Sequence, residues 1–546
     1  VSDPTAIQPA VRYDRVAGPT GWRALWARAV AHRYGFLVLG LALVLTGWAQ
    51  ATNMYGAPQR ADDEGTYVAQ AWAVFHWHTL AHYTYWYDHP PLGWILMGLW
   101  LAVTGGLAHA PSAVDAGRQF MLAVQLASAA LVYFVARRAG MARWTSGLAV
   151  LLFSLSPLAI WYHRMVYLDN IGMLFVLLAF LLAMTRRSRL ISLAGAGFFF
   201  ALGVLCKETF LVLLPALGWQ VWRSADRRTR AFAVSTAAAV FVLTGGMYVL
   251  YAALKGELLP GPHHVSLIGS IEWQLGQRQA SGSVLSSSSA GHHTLASWFR
   301  ADPWLLGVGF LCLPVALVRR STRGLAAAFG IEALVLLRPG YLPIPFVIGM
   351  LPFAALMGAV ALDTLWSWRP AFDLSALRRP AGERMRPFAG AGSTGALAVR
   401  LAGPLAALSL VAVTVVGAGP AWARADRGWF TAQQDAPYLA AQHWIEAHVP
   451  KYDRVLVDDS LWLDLVRQGY PANQVVWFYK LGTDPAVQHR FPGGWRDMQF
   501  IVSSDTMRSS VGGRAWLAQA LQDATPVATW GTGARHVTIL KVPGTH

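Results

Sequence analysis

Between Arg60 and Trp94 the chain reads RADDEGTYVAQAWAVFHWHTLAHYTYWYDHPPLGW. It opens with three adjacent carboxylates, Asp62, Asp63 and Glu64, and closes on Asp88-His89-Pro90-Pro91. A carboxylate held at hydrogen-bonding distance from a hydroxyl is a general base. Adjacent carboxylates repel, so the three cannot all enter one pocket. One or two face a site while another caps the following helix, the alternative being a wholly solvated cap. Three cations interrupt apolar sequence farther on: Arg164 in YHRMVYLDN, which also holds Asp169; Lys207 in CKET; and Arg338 in LLRPGYLPIPF, which also holds Tyr341. Cations in a lipid-adjacent pocket suit a phosphate or pyrophosphate. The blander readings are an internal Arg164–Asp169 salt bridge and a snorkelling Lys207. Pro90 and Pro91 fix an extended approach to the next helix, which aims Asp88 and His89 back toward these groups. The aromatics before them suit a membrane interface, and equally the face of a sugar ring.

The elements that position these residues are membrane helices. The chain has 546 residues, of which 55% are hydrophobic and 13% charged, too apolar for a soluble globular protein. Several uncharged runs of roughly 17 to 25 residues are long enough to cross a hydrocarbon core of about 30 Å. The net charge of +16 comes mainly from arginines clustered in short loops, so it marks cytoplasmic faces and does not point to nucleic acid. Cys206 and Cys312 both lie in apolar runs, which excludes a disulfide framework or a zinc site. No cleavable signal peptide is evident, and the N-terminus is expected in the cytoplasm. Twelve apolar runs begin near residues 34, 91, 117, 144, 167, 190, 208, 231, 303, 324, 342 and 398. If all crossed, the arginines of 137 to 143 and of 186 to 189 would lie outside. Removing the run at 91 to 108, which opens with a proline and carries Gly105-Gly106, returns every arginine cluster to the inside. About eleven spans remain, and the charged residues named above gather at the outer face.

The domains read as a cytoplasmic segment 1–33, a transmembrane catalytic domain 34–421 and an outer domain 422–546. The transmembrane domain has a first outer loop 53–116, a second outer loop 254–303 and a basic cytoplasmic loop 367–397. In the outer domain DRVLVDD, QVVWFYK, MQFIVSSD and HVTILKV read as strands, with PYLAAQHWIEAHV and SLWLDLVRQG as helices, giving a small α/β domain. Asp458 and Asp459 end a strand, where ligands often bind, but capping the following helix is the simpler role.

The ordered set Asp63-Glu64, His89-Pro90-Pro91-Leu92, Arg164 with Leu168-Asp169, Lys207, and Arg338 with Tyr341 resembles the GT-C glycosyltransferases. Within them it is most similar to the protein O-mannosyltransferases and the lipid A aminoarabinose transferases, through residues 34 to 366. The resemblance implies a polyprenyl-phosphate-sugar donor, a helix lying on the membrane in the first outer loop, and inverting transfer to a hydroxyl of a protein, a cell-wall glycan or a glycolipid. Carried over by position, it makes Asp63 the base and Arg164, Lys207 and Arg338, with Tyr341, the phosphate site. Glu64, Asp88, His89, Asp169, Tyr67 and Trp86 would orient the acceptor or the sugar. Some members bind a divalent metal near the donor phosphate; here Asp88 with His292 or His293 would supply its ligands. The sequence departs from the pattern at position 89, where the aminoarabinose transferases have a lysine. Arginine-rich, alanine-rich composition fits a bacterial plasma-membrane protein. The competing reading is a transporter or flippase of a lipid-linked or anionic substrate, whose internal symmetry and broken mid-membrane helices are not evident in the sequence.

Overall fold

The computed structural model describes residues 22–185, 189–367 and 393–544. Most of the expected N-terminal segment, Arg186 and Arg187 of one arginine cluster, and nearly all of the basic loop 367–397 lie outside those residues. Five described helices are long and apolar enough to cross a membrane: Arg33–Ala51, Ala113–Arg138, Arg189–Cys206, Arg230–Leu254 and Ile344–Ser367. The number is seven if two sharply bent pairs each count as one span. At the centre stands the stretch Ile344–Ser367, 94% buried and apolar all round, whereas Arg230–Leu254 is only 11% buried and turns its surface outward.

The bends have local causes. Helices Arg143–Leu155 and Pro157–Arg164 meet at 65°, where Ser156 caps the second helix and Pro157 cannot continue the first. Helices Ala290–Ala301 and Pro303–Val318 meet at 101°, where Asp302 accepts from the amides of Trp304 and Leu305 ahead of another such proline. The two bends are joined, since Ser156 Oγ donates to Asp302 Oδ2 at 2.5 Å. Trp422 Nε1 donates to Asp302 Oδ1 at 2.9 Å, tying the long helix Ser393–Thr431 to the same point. A third interruption matters most for the site. Helix Arg189–Cys206 stops at Lys207, whose backbone is extended (φ −152°, ψ 113°), before a 3-10 turn Glu208–Leu213 leads into helix Leu214–Ser224.

The run expected not to cross forms helix Leu92–Thr104, ended by Gly105 in the left-handed region at φ +64°. Thirteen residues at about 1.5 Å each reach only about 20 Å, short of the hydrocarbon core.

Beyond the helices a five-stranded sheet forms from β1 (Val455–Val457), β2 (Val475–Trp477), β3 (Phe500–Ser503), β4 (Thr525–Trp530) and β5 (Val537–Lys541), in the order β2-β1-β3-β5-β4. β1 is parallel to β2 and β3, while β5 runs antiparallel to β3 and β4. β4 has no counterpart in the sequence reading. As an edge strand that is mostly exposed and carries Pro526, it lacks the apolar alternation that marked the others.

This domain sits on the first outer loop. Helix Asp459–Arg467 packs on helix Asp62–His76, and Trp462 lies among Trp72, Trp77, His82 and Tyr83 at ring distances of 4.5 to 6.2 Å. Gly65 permits the close approach: a Cβ there would overlap the backbone of Asp459 and Ser460. Tyr83 covers the free edge of β2, its hydroxyl accepting from the Trp477 amide at 2.8 Å.

Candidate active site

Helix Asp62–His76 separates the three neighbouring carboxylates, because successive helical residues point about 100° apart. Glu64 turns inward and is completely buried. It takes the Nε and Nη2 of Arg118 on its two oxygens at 3.0 and 2.9 Å, and accepts the amides of Ala61 and Val166 at 3.0 Å each. Arg118 also donates to Asp435 Oδ2 and to the carbonyls of Met54 and Pro58, which occupies all five of its N–H groups. Glu64 is therefore an anchor for the helix start, with no free oxygen for a substrate, and the orienting role expected for it is corrected.

Asp62 turns toward the outer domain. Burial there, and then the charges of Asp459, Asp458 and Asp63, push its pKa well above the usual carboxylate range. Asp63 alone of the three is exposed.

On the side Asp63 faces, several groups converge. Lys207 Nζ is 2.8 Å from His89 Nε2 and 4.0 Å from Asp169 Oδ2. His89 Nδ1 is 3.0 Å from Glu208 Oε2. With its proton on Nδ1, the imidazole donates to Glu208 and accepts from Lys207. Burial alone would depress the pKa of His89; Glu208 overrides it and raises it. Once protonated, the ring could no longer accept from Lys207. The His89 carbonyl is itself fixed by the hydroxyls of Tyr85 (2.6 Å) and Tyr248 (3.2 Å), which pins the His-Pro-Pro turn to helix Arg230–Leu254. Asp63, Asp88, Asp169 and Glu208 all lie near enough to act electrostatically on both Lys207 and Tyr67. Tyr67 stacks on Trp94 at 6.5 Å and lies 6.1 Å from the His89 ring. Trp86, at the rim, is 36% exposed. His89 thus positions Lys207, and its direct part in holding a substrate is not what its contacts favour.

The two other expected phosphate ligands have partners of their own. Arg164 is 2% exposed and spends its terminal N–H groups on carbonyls: Ala57 (3.0 Å) and Trp429 (3.4 Å) through Nη1, Ala49 (2.7 Å) and Thr52 (2.8 Å) through Nη2. It ties the end of helix Arg33–Ala51 to the end of helix Ser393–Thr431, and its assignment to phosphate binding is corrected. It pairs with neither Asp169 nor any other carboxylate in a salt bridge among the described residues. Arg338 is exposed and donates to the carbonyl of Tyr341 at 3.4 Å. Arg278, which the sequence reading passed over, stacks its guanidinium on the Tyr341 ring at 3.5 Å. Ser281 binds this segment from both sides, its amide donating to the Gly340 carbonyl and its hydroxyl accepting from the Leu342 amide. Beside these cations opens an apolar groove of about 730 Å³ between helices Ala290–Ala301, Pro303–Val318 and Arg323–Leu336, with Val284, Phe299, Ile331 and Leu337 in its wall.

The residues do not fit a divalent metal. His292 has its Nδ1 against the Val284 carbonyl at 2.9 Å, and among the described residues no three His, Cys, Asp or Glu side chains group as ligands, with Asp88 or otherwise.

Glu208 was legible as the neighbour of Lys207, but its partner His89 lies 119 residues away. Arg278 had no signal beyond its charge, and Arg118 none beyond a lone cation near the start of an apolar helix.

Comparison with solved structures matches nearly the whole chain. ArnT from Cupriavidus metallidurans bound to undecaprenyl phosphate superposes with a TM-score of 0.55 at 14% identity, covering 94% of this chain and 99% of that one. The apo form of the same protein gives 0.56 at 15% identity, covering 94% and 98%. The chain has the GT-C fold. A GT-C oligosaccharyltransferase from Archaeoglobus fulgidus, tethered to an acceptor peptide with an NVT sequon, gives 0.53 at 11% identity over 92% of this chain and 74% of that one. In sequence, the profile of the dolichyl-phosphate-mannose-protein mannosyltransferase family matches residues 74–251, about a third of the chain. That segment holds Asp88, His89, Asp169, Lys207 and Glu208, while Asp63 precedes it. No curated protein sequence matches. The resemblance drawn from the ordered motifs is thus matched by GT-C architecture at identities of 11 to 15%.

Proposed function

We propose that the protein is an inverting membrane glycosyltransferase that moves a sugar from a polyprenyl-phosphate donor to an acceptor hydroxyl at the extracytoplasmic face. The observation that carries this reading is one exposed carboxylate, Asp63, within electrostatic reach of a buried ammonium, Lys207, which His89 and Asp169 hold at a helix break. Asp63 takes the proton of the acceptor hydroxyl. The oxygen attacks the anomeric carbon while the bond from that carbon to the lipid phosphate breaks, and the electron pair leaves on the phosphate oxygen. Lys207 stabilises the developing charge, with Asp169 and His89 holding it in place. Arg338 and Arg278 stand where the head group of a lipid in the adjacent groove would arrive, and the groove's apolar wall suits isoprene units. ArnT was solved with undecaprenyl phosphate, which supports the donor class.

The finer topology belongs to the same proposal: about eleven spans, the N-terminus in the cytoplasm, residues 34–421 as the transmembrane catalytic domain and 422–546 outside, in a bacterial plasma membrane. No observation favours the transporter reading, and the central helix is apolar nearly throughout.

Undecaprenyl phosphate binding to the purified protein in nanodiscs tests the donor assignment. Lys207→Ala is expected to weaken it by about tenfold or more, the loss of one charge-assisted contact. No binding by the wild type, or equal binding by the variant, would overturn it.

A further inference from the structure

The outer domain adds a cation to the rim of the site that the transfer chemistry above does not use. Lys480 follows β2 directly, at the carboxyl end of a parallel strand, on the same side as Asp458 and Asp459 at the end of β1. Its ammonium sits among three aromatic rings, 5.4 Å from Tyr83, 5.5 Å from Trp86 and 5.6 Å from Trp477. Two of these rings belong to different domains, Trp86 to the first outer loop and Trp477 to the sheet. Lys480 is 7% exposed, and its three N–H groups have no hydrogen-bond acceptor among the described residues. Ring faces compensate its charge in part and leave its donors open to a ligand. Asp88, Asp459 and Asp484 are close enough to act on it, so the surroundings are net negative and disfavour an anionic ligand. A partly exposed indole face, an ammonium with no partner among the described residues and the half-buried carboxylate of Asp88 make up a set that fits a neutral, hydroxyl-rich ring, whose C–H face lies on the indole while its hydroxyls bridge ammonium and carboxylate.

We propose that Lys480 and Trp86 form an acceptor subsite for a saccharide, so that the outer domain selects a glycan acceptor. This rests on the transfer reading above; Asp88 is near enough to act electrostatically on both Lys480 and Lys207.

Saturation-transfer NMR on the full-length protein in nanodiscs tests it, with methyl α-D-mannopyranoside as the probe and an acetylated Ala-Thr-Ala amide as the protein-like control. Undecaprenyl phosphate binding is measured on the same samples. The wild type is expected to saturate the sugar protons and not the peptide. Lys480→Ala should weaken sugar binding by about tenfold, the worth of a charge-assisted contact, Trp86→Ala by about three- to tenfold through loss of the stacked ring face, and Lys480→Arg should restore part of the Lys480 loss. Undecaprenyl phosphate binding should be unchanged in all three, which also shows that they fold. Equal sugar binding by wild type and Lys480→Ala, preference for the peptide, or no sugar signal in the wild type overturns the subsite. Loss of undecaprenyl phosphate binding in the wild type, with sugar binding intact, would instead overturn the donor reading and leave the subsite standing.

Discussion

Asp62, Asp63 and Glu64 are chemically near-equivalent, and a single helical turn gives them three environments. Glu64 saturates Arg118, Asp63 faces the open side, and Asp62 enters a buried acidic group with Asp458 and Asp459. The Asp62 pKa is raised by burial first and those neighbours second, so the folded protein holds a proton that the unfolded chain releases above its ordinary carboxylate pKa. Stability contributed at low pH is therefore lost as pH rises from that value toward the folded one. Asp62→Asn is expected to raise the thermal midpoint at pH 8 and to leave it nearly unchanged at pH 3.5, as differential scanning fluorimetry would show. Arg164 gives the opposite lesson about reading residues. Its motif and its place near the outer face match a phosphate ligand, yet its N–H groups go to carbonyls of segments more than a hundred residues away. Arg164→Lys is expected to destabilise the protein by about 2–4 kcal/mol, a buried hydrogen-bonded charge being disrupted, while undecaprenyl phosphate affinity stays unchanged. Lost affinity without lost stability would restore the phosphate assignment. A local motif drew attention to Lys207 and Asp63, yet Lys207 is held by His89, 118 residues away, and the motif could not carry the roles of Arg164 or Glu64, whose partners are likewise remote in sequence.

At the scale of elements, breaks in the helices do most of the positioning. Pro157 and Pro303 start the helices that follow the 65° and 101° bends, and the stop at Lys207 could be read from a charge inside an apolar run, but the bond from Ser156 to Asp302 that joins the two bends spans 146 residues and has no local signal. Helix Leu92–Thr104 is short, as the arginine pattern asks of a segment that does not cross, since a loop charge constrains which segments cross even when hydropathy does not. What no pattern contained was the docking of helix Asp459–Arg467 on helix Asp62–His76, which depends on Gly65 offering no side chain. Gly65→Ala forces a methyl group into the facing backbone and is expected to cost about 1–3 kcal/mol in that packing. Hydrogen exchange should then accelerate across 436–467 and 475–503 while the helix Val347–Ser367 is unaffected. Uniform acceleration, or none, would show that the two elements do not depend on this contact.

For the molecule as a whole, an apolar bundle brings a carboxylate, an ammonium and an apolar groove to one end, and a soluble domain closes over the carboxylate's helix. The membrane character and the ordered charges were visible in composition and spacing, because the bilayer imposes them on any sequence. The seat of the outer domain was not, since surface complementarity between Trp462 and the loop aromatics has no period to read. The proposed function makes one chemical demand: the exposed carboxylate at the helix start removes the acceptor proton, whereas the groove and Lys207 hold the donor without it. Transfer by Asp63→Asn, assayed in nanodiscs with polyprenyl-phosphate-sugar donors alongside undecaprenyl phosphate binding, separates the two. The expected result is a fall in turnover of about a hundredfold or more with lipid affinity unchanged; transfer at an undiminished rate would contradict the central assignment.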